Sequence, residues 1–238
     1  MVGIGPGGPA DRTRRAETAI ANSQVLAGYN KYLEMVQDLS AGKELITSGM
    51  KQEVQRCQEA IDKAMAGQTV ALLSSGDAGV YGMAGLAIEL AHAQGAKIDI
   101  EVIPGVTAAN AAAARLGAPL MLDFAVISLS DLLIPWETIR RRVEALAGAD
   151  MVMAIYNPRS IKRVTQLEET VEILLRSRSA DTPVGIARAV GSDEEQIRLS
   201  TLGKLLGEDI DMRTVLIVGN SMSRVIDGWF VTCRGYHI

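Results

Sequence analysis

The sequence predicts an α/β protein of two domains, the first built on a mostly parallel sheet and the second on a mixed one. Three observations predict it. Short apolar runs of strand length alternate with longer amphipathic runs of helix length. Hydrophobic residues make up 48% of the chain and aromatics only 4%, so the cores must come from Ala, Val, Leu and Ile, as in sheets covered by helices. Glycines and polar residues recur where an apolar run hands over to a helix, the end at which open α/β sheets bind ligands.

Taken in order, Met1 to Ile4 is a short strand stopped by Gly5-Pro6-Gly7-Gly8-Pro9. A helix then begins near Asp11, with Asp11 or Thr13 as N-cap. A second strand covers Gln24 to Ala27 and a helix Lys31 to Leu39. After the extended Glu44 to Thr47 and the turn Ser48-Gly49-Met50, a helix spans Lys51 to Ala66. The strand Thr69 to Leu73 leads into the stretch on which the chain is organised, Ser74 to Gly85 (SSGDAGVYGMAG). Four of its glycines allow close approach of backbone to a bulky ligand, Asp77 supplies a carboxylate and Tyr81 a stacking face. A helix to Ala93, a strand Ile98 to Val102 and an Ala-rich helix capped by Thr107 complete the first half.

Gly117-Ala118-Pro119 marks the boundary, giving domains 1–118 and 119–238. The second half reads as strands at Phe124 to Ile127, Met151 to Ile155, Val184 to Arg188, Gln196 to Thr201, Thr214 to Val218 and Trp229 to Val231. Helices are expected over Trp136 to Leu146, Thr165 to Arg176 and Leu202 to Leu206, and a hairpin around Gly191-Ser192-Asp193. Polar strand-end loops suggest a cleft between the domains.

Composition narrows the function classes. A net charge of -4 argues against affinity for a nucleic-acid backbone. No apolar run is long enough to span a bilayer and no signal core is seen, so a soluble cytoplasmic protein is expected. Cys57, Cys233, His92 and His237 lack metal-ligand spacing, and no metal site is expected. Gly3, Gly5 and Gly8 satisfy GxGxxG, yet Pro6 and Pro9 keep a helix from opening on the glycines, and the second strand ends in Gly28-Tyr29 without a ribose-binding carboxylate. A dinucleotide site is therefore rejected.

The phrases VGIGPGG, SSGDAGVYGMAG, EVIPGVTAANAAAARLGAPL, DFAVISLSDLLIPW, YNPRS, GNS and RGY resemble the tetrapyrrole methylase family, in its cobalamin-biosynthesis branch, from Val2 to Tyr236. The resemblance implies S-adenosylmethionine in an interdomain cleft, a tetrapyrrole substrate beside it and a homodimer. It implies methyl transfer to C17 of precorrin-3B or cobalt-precorrin-3, with contraction of the macrocycle. Cofactor contacts carried over are Gly76, Asp77, Val80, Tyr81, Gly82, Thr107, Ala108, Tyr156, Asn157, Ala189 and Thr214. Gly5, Pro6 and Gly7 fall on the substrate side, with Ser48, Gly49 and Met50.

Contraction moves protons, so a general acid or base is expected among Asp123, Ser128, Ser130 and Asp131. The substrate's carboxylate arms call for basic groups, and Arg159, Lys162, Arg163 and Arg188 stand at or just after strand ends. Arg140, Arg141 and Arg142 read as a solvated helix face, and Trp136 as a packed helix start. Relatives commonly carry histidine where this chain has Leu122. The alternatives are a non-catalytic tetrapyrrole carrier and a methylase of the same fold with another substrate.

Overall fold

The computed structural model describes residues 1–49, 51–161 and 163–236. The chain divides into two compact units, Met1–Ala108 with Gly191–Asp193, and Ala109–Val190 with Glu194–Ile238.

The first unit opens with β1 (Val2–Gly3), stopped at once by the Gly-Pro loop. Next is α1 (Arg14–Asn22), whose N-cap is Thr13: its hydroxyl accepts the Ala16 N–H at 3.1 Å. The helix buries Ala16 and Ile20, four residues apart on one face. It is followed by β2 (Val25–Tyr29), α2 (Asn30–Met35), β3 (Glu44–Ser48), α3 (Glu53–Met65), β4 (Val70–Ser74) and α4 (Ala84–Ala93). The sheet runs β1-β4-β2-β3 with every pairing parallel. Its core joins Ile4, Ile20, Leu26 and Leu73, all fully buried. Because the strands are parallel, their C-terminal ends, Gly3, Tyr29, Ser48 and Ser74, share one edge.

Two elements depart from expectation. The helix expected over Lys31 to Leu39 breaks at Val36 and finishes as a 3-10 turn, Gln37–Leu39. The strand expected at Ile98 to Val102 is not formed; only Ile103 bridges Val2. With β1 two residues long there is no ladder to extend, and the segment is fixed by Gly3 N–H on the Ile103 carbonyl (2.9 Å) and Ile103 N–H on that of Met1 (2.8 Å).

The helix α5 (Ala108–Leu116) leads into the second unit. There follow β5 (Gly117–Ala118), β6 (Phe124–Ser128), α6 (Trp136–Gly148), β7 (Val152–Tyr156), α7 (Thr165–Leu175), β8 (Pro183–Arg188), β9 (Gln196–Thr201), β10 (Thr214–Val218), β11 (Ser223–Ile226) and β12 (Trp229–Thr232). The main sheet is mixed, in the order β6-β7-β10-β8-β9, with β6 and β7 parallel and the other neighbours antiparallel. A small sheet β11-β12-β5 completes the unit. The expected hairpin is β8–β9, and the short helix after β9 is a 3-10 turn, Leu202–Gly207. Helices α6 and α7 bury Val143, Leu167 and Leu174 on the sheet residues Met153, Ile155, Ile186 and Leu216. The Ala-rich α5 ends with Leu116 on Gly185 of β8, where a Cβ would lie 2.3 Å from the leucine Cδ1. Register places Ser128 opposite Tyr156 and Thr214 opposite Arg188, so one edge of this sheet collects all four.

Candidate functional site

At the C-terminal edge of the first unit's sheet the site is made of backbone. Gly5 and Gly76 exchange hydrogen bonds, the Gly5 N–H on the Gly76 carbonyl at 3.1 Å and the reverse at 2.7 Å. A Cβ on Gly105 would stand 2.1 Å from the Gly76 oxygen, and one on Gly3 2.7 Å from the Gly105 nitrogen. Only glycines allow these three segments to meet. Asp77 is the clasp: its carboxylate accepts the Gly79 N–H at 2.8 Å and the Gly105 N–H at 2.9 Å. Ser74 Oγ accepts the Met83 N–H at 3.1 Å and closes the loop onto α4. Val80 and Tyr81 stand exposed on it, Tyr81 with φ 54. Gly82 packs against the Ala78 carbonyl, which a Cβ there would approach to 2.5 Å. Thr107 and Ala108 lie within 4 Å of a Cβ built on Gly76.

The N–H groups of all three GxGxxG glycines are spent on carbonyls: Gly3 on Ile103, Gly5 on Gly76 and Gly8 on Gly191. None is left for a pyrophosphate, so this loop is no phosphate cradle. Gly7 abuts Gly191, where a Cβ would fall 2.0 Å from the carbonyl carbon. The turn at Ser48 and Gly49 is held from beneath by Arg56, 2% exposed, whose Nε donates to Ser48 Oγ at 3.0 Å and Nη2 to the Gly49 carbonyl at 3.3 Å. Next to it, burial pushes the Cys57 thiol up to about 11, so no thiolate is on offer at neutral pH. Met50 lies outside the described residues.

The second unit's edge is made of side chains. The Tyr156 hydroxyl accepts the Ala109 N–H at 2.9 Å and so caps the first turn of α5. Ser128 Oγ accepts from Asn157 Nδ2 at 3.0 Å and from the Ser130 N–H at 3.2 Å. With both lone pairs occupied, the Ser128 hydroxyl proton has no acceptor among the described residues and is available to a ligand. Arg188 donates to Asp211 at 2.8 Å, and Thr214 Oγ1, buried, donates to the same carboxylate at 3.0 Å. Burial opposes ionisation of Asp211, but hydrogen bonds from Arg188, Thr214 and the Arg213 N–H outweigh it and hold the carboxyl below its usual range.

Three of the six non-glycine residues with left-handed backbone among the described residues are Tyr81, Asn157 and Ala189. These are three of the positions expected to touch the cofactor, and such strain gathers at ligand sites. Small residues and turned backbone fit S-adenosylmethionine, which has no phosphate to hold.

The proton-transfer candidates are not all brought together. Ser128 and Ser130 share one hydrogen-bonded turn, and Asp131, exposed, accepts Gln166 Nε2 at 2.8 Å just beyond it. Asp123 precedes β6 and is exposed, at the opposite edge of the sheet and about 17 Å of strand rise from Ser128. Leu122 stands on that far side too. Among the basic candidates, Arg188 is neutralised by Asp211 and Arg159 reaches Glu168 at 3.5 Å. Arg163 donates to the Asn157 carbonyl at 2.8 Å and pairs with no carboxylate among the described residues; Lys162 lies outside them. Arg140 is absorbed by Glu137 and Glu144 on its own helix, and Trp136 packs on the core with its Nε1 on Glu169 at 2.8 Å.

The site residues that the sequence did not single out are Asp211, Arg56, Gly105 and Gly191. Arg56 had a signal: it stands beside Cys57 and four residues before Ala60 on the buried face of α3. Asp211, three residues before Thr214, and the two glycines carried only turn signals, with nothing to tie them to a site.

The sequence model of the Tetrapyrrole (Corrin/Porphyrin) Methylases matches residues 1–206. The chain is 47% identical over 236 residues to a probable cobalt-factor III C(17)-methyltransferase of Salmonella typhimurium, covering 99% of this chain and 98% of the relative. It is 47% identical over 240 residues to the cobalt-factor III methyltransferase of Priestia megaterium, covering 99% of this chain but spanning 44% of that protein's length. The crystal structure of the methyltransferase CobJ superposes with a TM-score of 0.91 at 35% identity, covering 98% of each chain. With its parallel and mixed sheets, its backbone-built loop and these likenesses together, the chain belongs to the tetrapyrrole (corrin/porphyrin) methylases.

Proposed function

We propose that the chain is an S-adenosylmethionine-dependent methyltransferase acting in cobalamin biosynthesis, which methylates C17 of precorrin-3B or its cobalt-bearing counterpart while the macrocycle contracts. The observation that carries this reading is the second unit's sheet edge, where the Ser128 hydroxyl, fixed by Asn157 and Ser130, keeps a proton to give. The names of the relatives, which specify C17 and cobalt-factor III, support the reaction.

S-adenosylmethionine supplies a methyl group already electrophilic on its sulfonium, so no protein nucleophile is needed. Positioning and exclusion of water are what the residues contribute. In the first unit Gly76, Asp77, Val80, Tyr81, Gly82, Thr107 and Ala108 would hold it, Asp77 through the loop it clasps. In the second, Tyr156, Asn157, Ala189 and Thr214 would do so. Ser128 donates its hydroxyl hydrogen bond to a substrate oxygen on which charge develops during contraction, and Asn157 fixes the direction of that bond. Asp131 is the nearest carboxylate along the chain for proton removal. Arg163, which pairs with no carboxylate among the described residues, and Arg159, held at 3.5 Å from Glu168, take substrate carboxylates; Gly5, Pro6, Gly7, Ser48 and Gly49 form the substrate side of the first unit's edge.

We further infer a homodimer working in the cytoplasm, on the family resemblance. Among the described residues no helix is long and apolar enough to cross a membrane. Equilibrium sedimentation giving a monomer would remove the dimer.

The deciding experiment incubates the protein with methyl-labelled S-adenosylmethionine and either metal-free precorrin-3B or the cobalt-bearing form, and follows product mass and absorbance. Methyl gain with a contracted chromophore is expected from one substrate and identifies it. Pigment binding without methyl gain would leave a carrier, and neither would point to another substrate.

A further inference from the structure

Among the described residues of the first unit two arginines are buried, Arg12 and Arg56, and they are served differently. Arg12 meets Asp38 at 2.7 Å, whereas Arg56, 2% exposed, pairs with no carboxylate among the described residues. Glu53, three residues before it on α3, accepts the Lys51 N–H at 3.1 Å instead. A charge taken out of water without a counter-charge costs stability. A fold keeps one where it serves something other than stability.

What Arg56 serves is the turn that ends β3. Its Nε donates to Ser48 Oγ at 3.0 Å and its Nη2 to the Gly49 carbonyl at 3.3 Å. Ser48 closes β3 opposite Tyr29 in register, at the edge where parallel sheets take ligands. Tyr29 and Tyr32 meet edge to face beside it, their ring centres 5.4 Å apart. The N–H of Gly49 is spent on Gln52 Oε1 at 2.7 Å, and that of Lys51 on Glu53. Ser48 Oγ, by contrast, receives its bond from a cation, and its own proton has no acceptor among the described residues. A hydroxyl that accepts from a guanidinium is polarised, so its proton binds an anion more strongly. Ser48 is half-buried and within a ligand's reach, while Arg56 behind it is not. Resting on the methylase reading above, we propose that Arg56 is a positioning residue for the tetrapyrrole: it does not touch the pigment, but fixes and polarises the Ser48 hydroxyl, which holds one of the pigment's carboxylate arms.

The test uses the full chain with Arg56→Met, Ser48→Ala, the two combined, and Ser48→Thr, and follows tetrapyrrole binding by absorbance beside steady-state kinetics. Arg56→Met removes the charge at similar volume. It is expected to raise the tetrapyrrole Kd and KM about tenfold and to leave kcat within about twofold. The melting temperature does not fall, since the buried charge goes with the side chain. Ser48→Ala raises Kd by a similar factor, the double variant adds nothing further, and Ser48→Thr, which keeps the hydroxyl, recovers most of the loss. S-adenosylmethionine affinity by calorimetry stays at the parent value in all four. An Arg56→Met chain that melts lower or fails to fold makes the arginine a structural strut and overturns the proposal. Losses that add in the double variant do so too, since Arg56 would then act apart from Ser48, as does an unchanged Kd in Ser48→Ala. A parent protein that binds the pigment without methylating it sinks the methylase reading and leaves the binding comparison standing, whereas one that fails to bind it sinks both.

Discussion

The two sheet edges do comparable work with different materials. In the first unit the edge is backbone against backbone: Gly3, Gly76 and Gly105 meet where any Cβ on Gly3 or Gly105 would overlap main-chain atoms, and one carboxylate ties the loop. In the second unit it is a row of side chains, Ser128, Tyr156, Asn157, Arg188 and Thr214, each held by a named partner. A backbone-built edge tolerates nothing larger than hydrogen, whereas a side-chain edge yields stepwise, one hydrogen bond at a time.

The sharpest test of the difference is Gly105→Ala, which forces a methyl to 2.1 Å from the Gly76 oxygen. It should destabilise the first unit by about 3 kcal/mol in urea unfolding. A loss under about 1 kcal/mol would show that the glycine junction relaxes, and the contrast would fail. Next, Asp77→Asn replaces one acceptor by a donor facing an N–H, with an expected loss of about 2 kcal/mol and weaker S-adenosylmethionine binding in calorimetry. An unaffected affinity would mean that the clasp and the cofactor site are separate. On the other edge, Thr214→Val removes the two bonds of its hydroxyl to Asp211, one given to the carboxylate and one taken from the N–H, and should cost about 1.5 kcal/mol by the same unfolding assay.

The pH response sharpens this further. Asp211 is held below its usual range in the folded chain, so its contribution is present above the unfolded carboxyl value and is lost as pH falls through the lower folded value. Stability of the parent minus that of Asp211→Asn should therefore shrink on acidification and stay flat between pH 6 and 8. A difference that grows toward acid would mean the sign is wrong. The smallest structural effect belongs to Ser128→Ala, at most about 1 kcal/mol, while kcat falls tenfold to about a hundredfold. Unchanged kcat would remove Ser128 from the chemistry.

The asymmetry also explains what was legible beforehand. The alternation of apolar runs gave the strands of both main sheets, and strand-end loops pointed to Gly76, Tyr156 and Asn157, because period and punctuation are local properties. The strand expected at Ile98 to Val102 failed because β1 offers it no ladder, and β11 was missed because its four residues are largely exposed. Ser128 and Asp123 bracket one short strand, so the side of the sheet each serves follows only from its direction. Gly105 and Gly191 matter through partners about thirty and more than a hundred residues away, a relation that no window along the chain contains.

The spent N–H groups of Gly3, Gly5 and Gly8 bear on how sequence patterns are read at large. A spacing of glycines describes only where a chain may bend; whether it grips an anion depends on who else has already claimed its donors. A proline within such a spacing and another just past it are a cheap veto, since each deletes a donor and routes the chain into contacts that consume the others. Filtering GxGxxG matches by the donors still free would separate decoys of this kind from true dinucleotide folds before any chemistry is assigned.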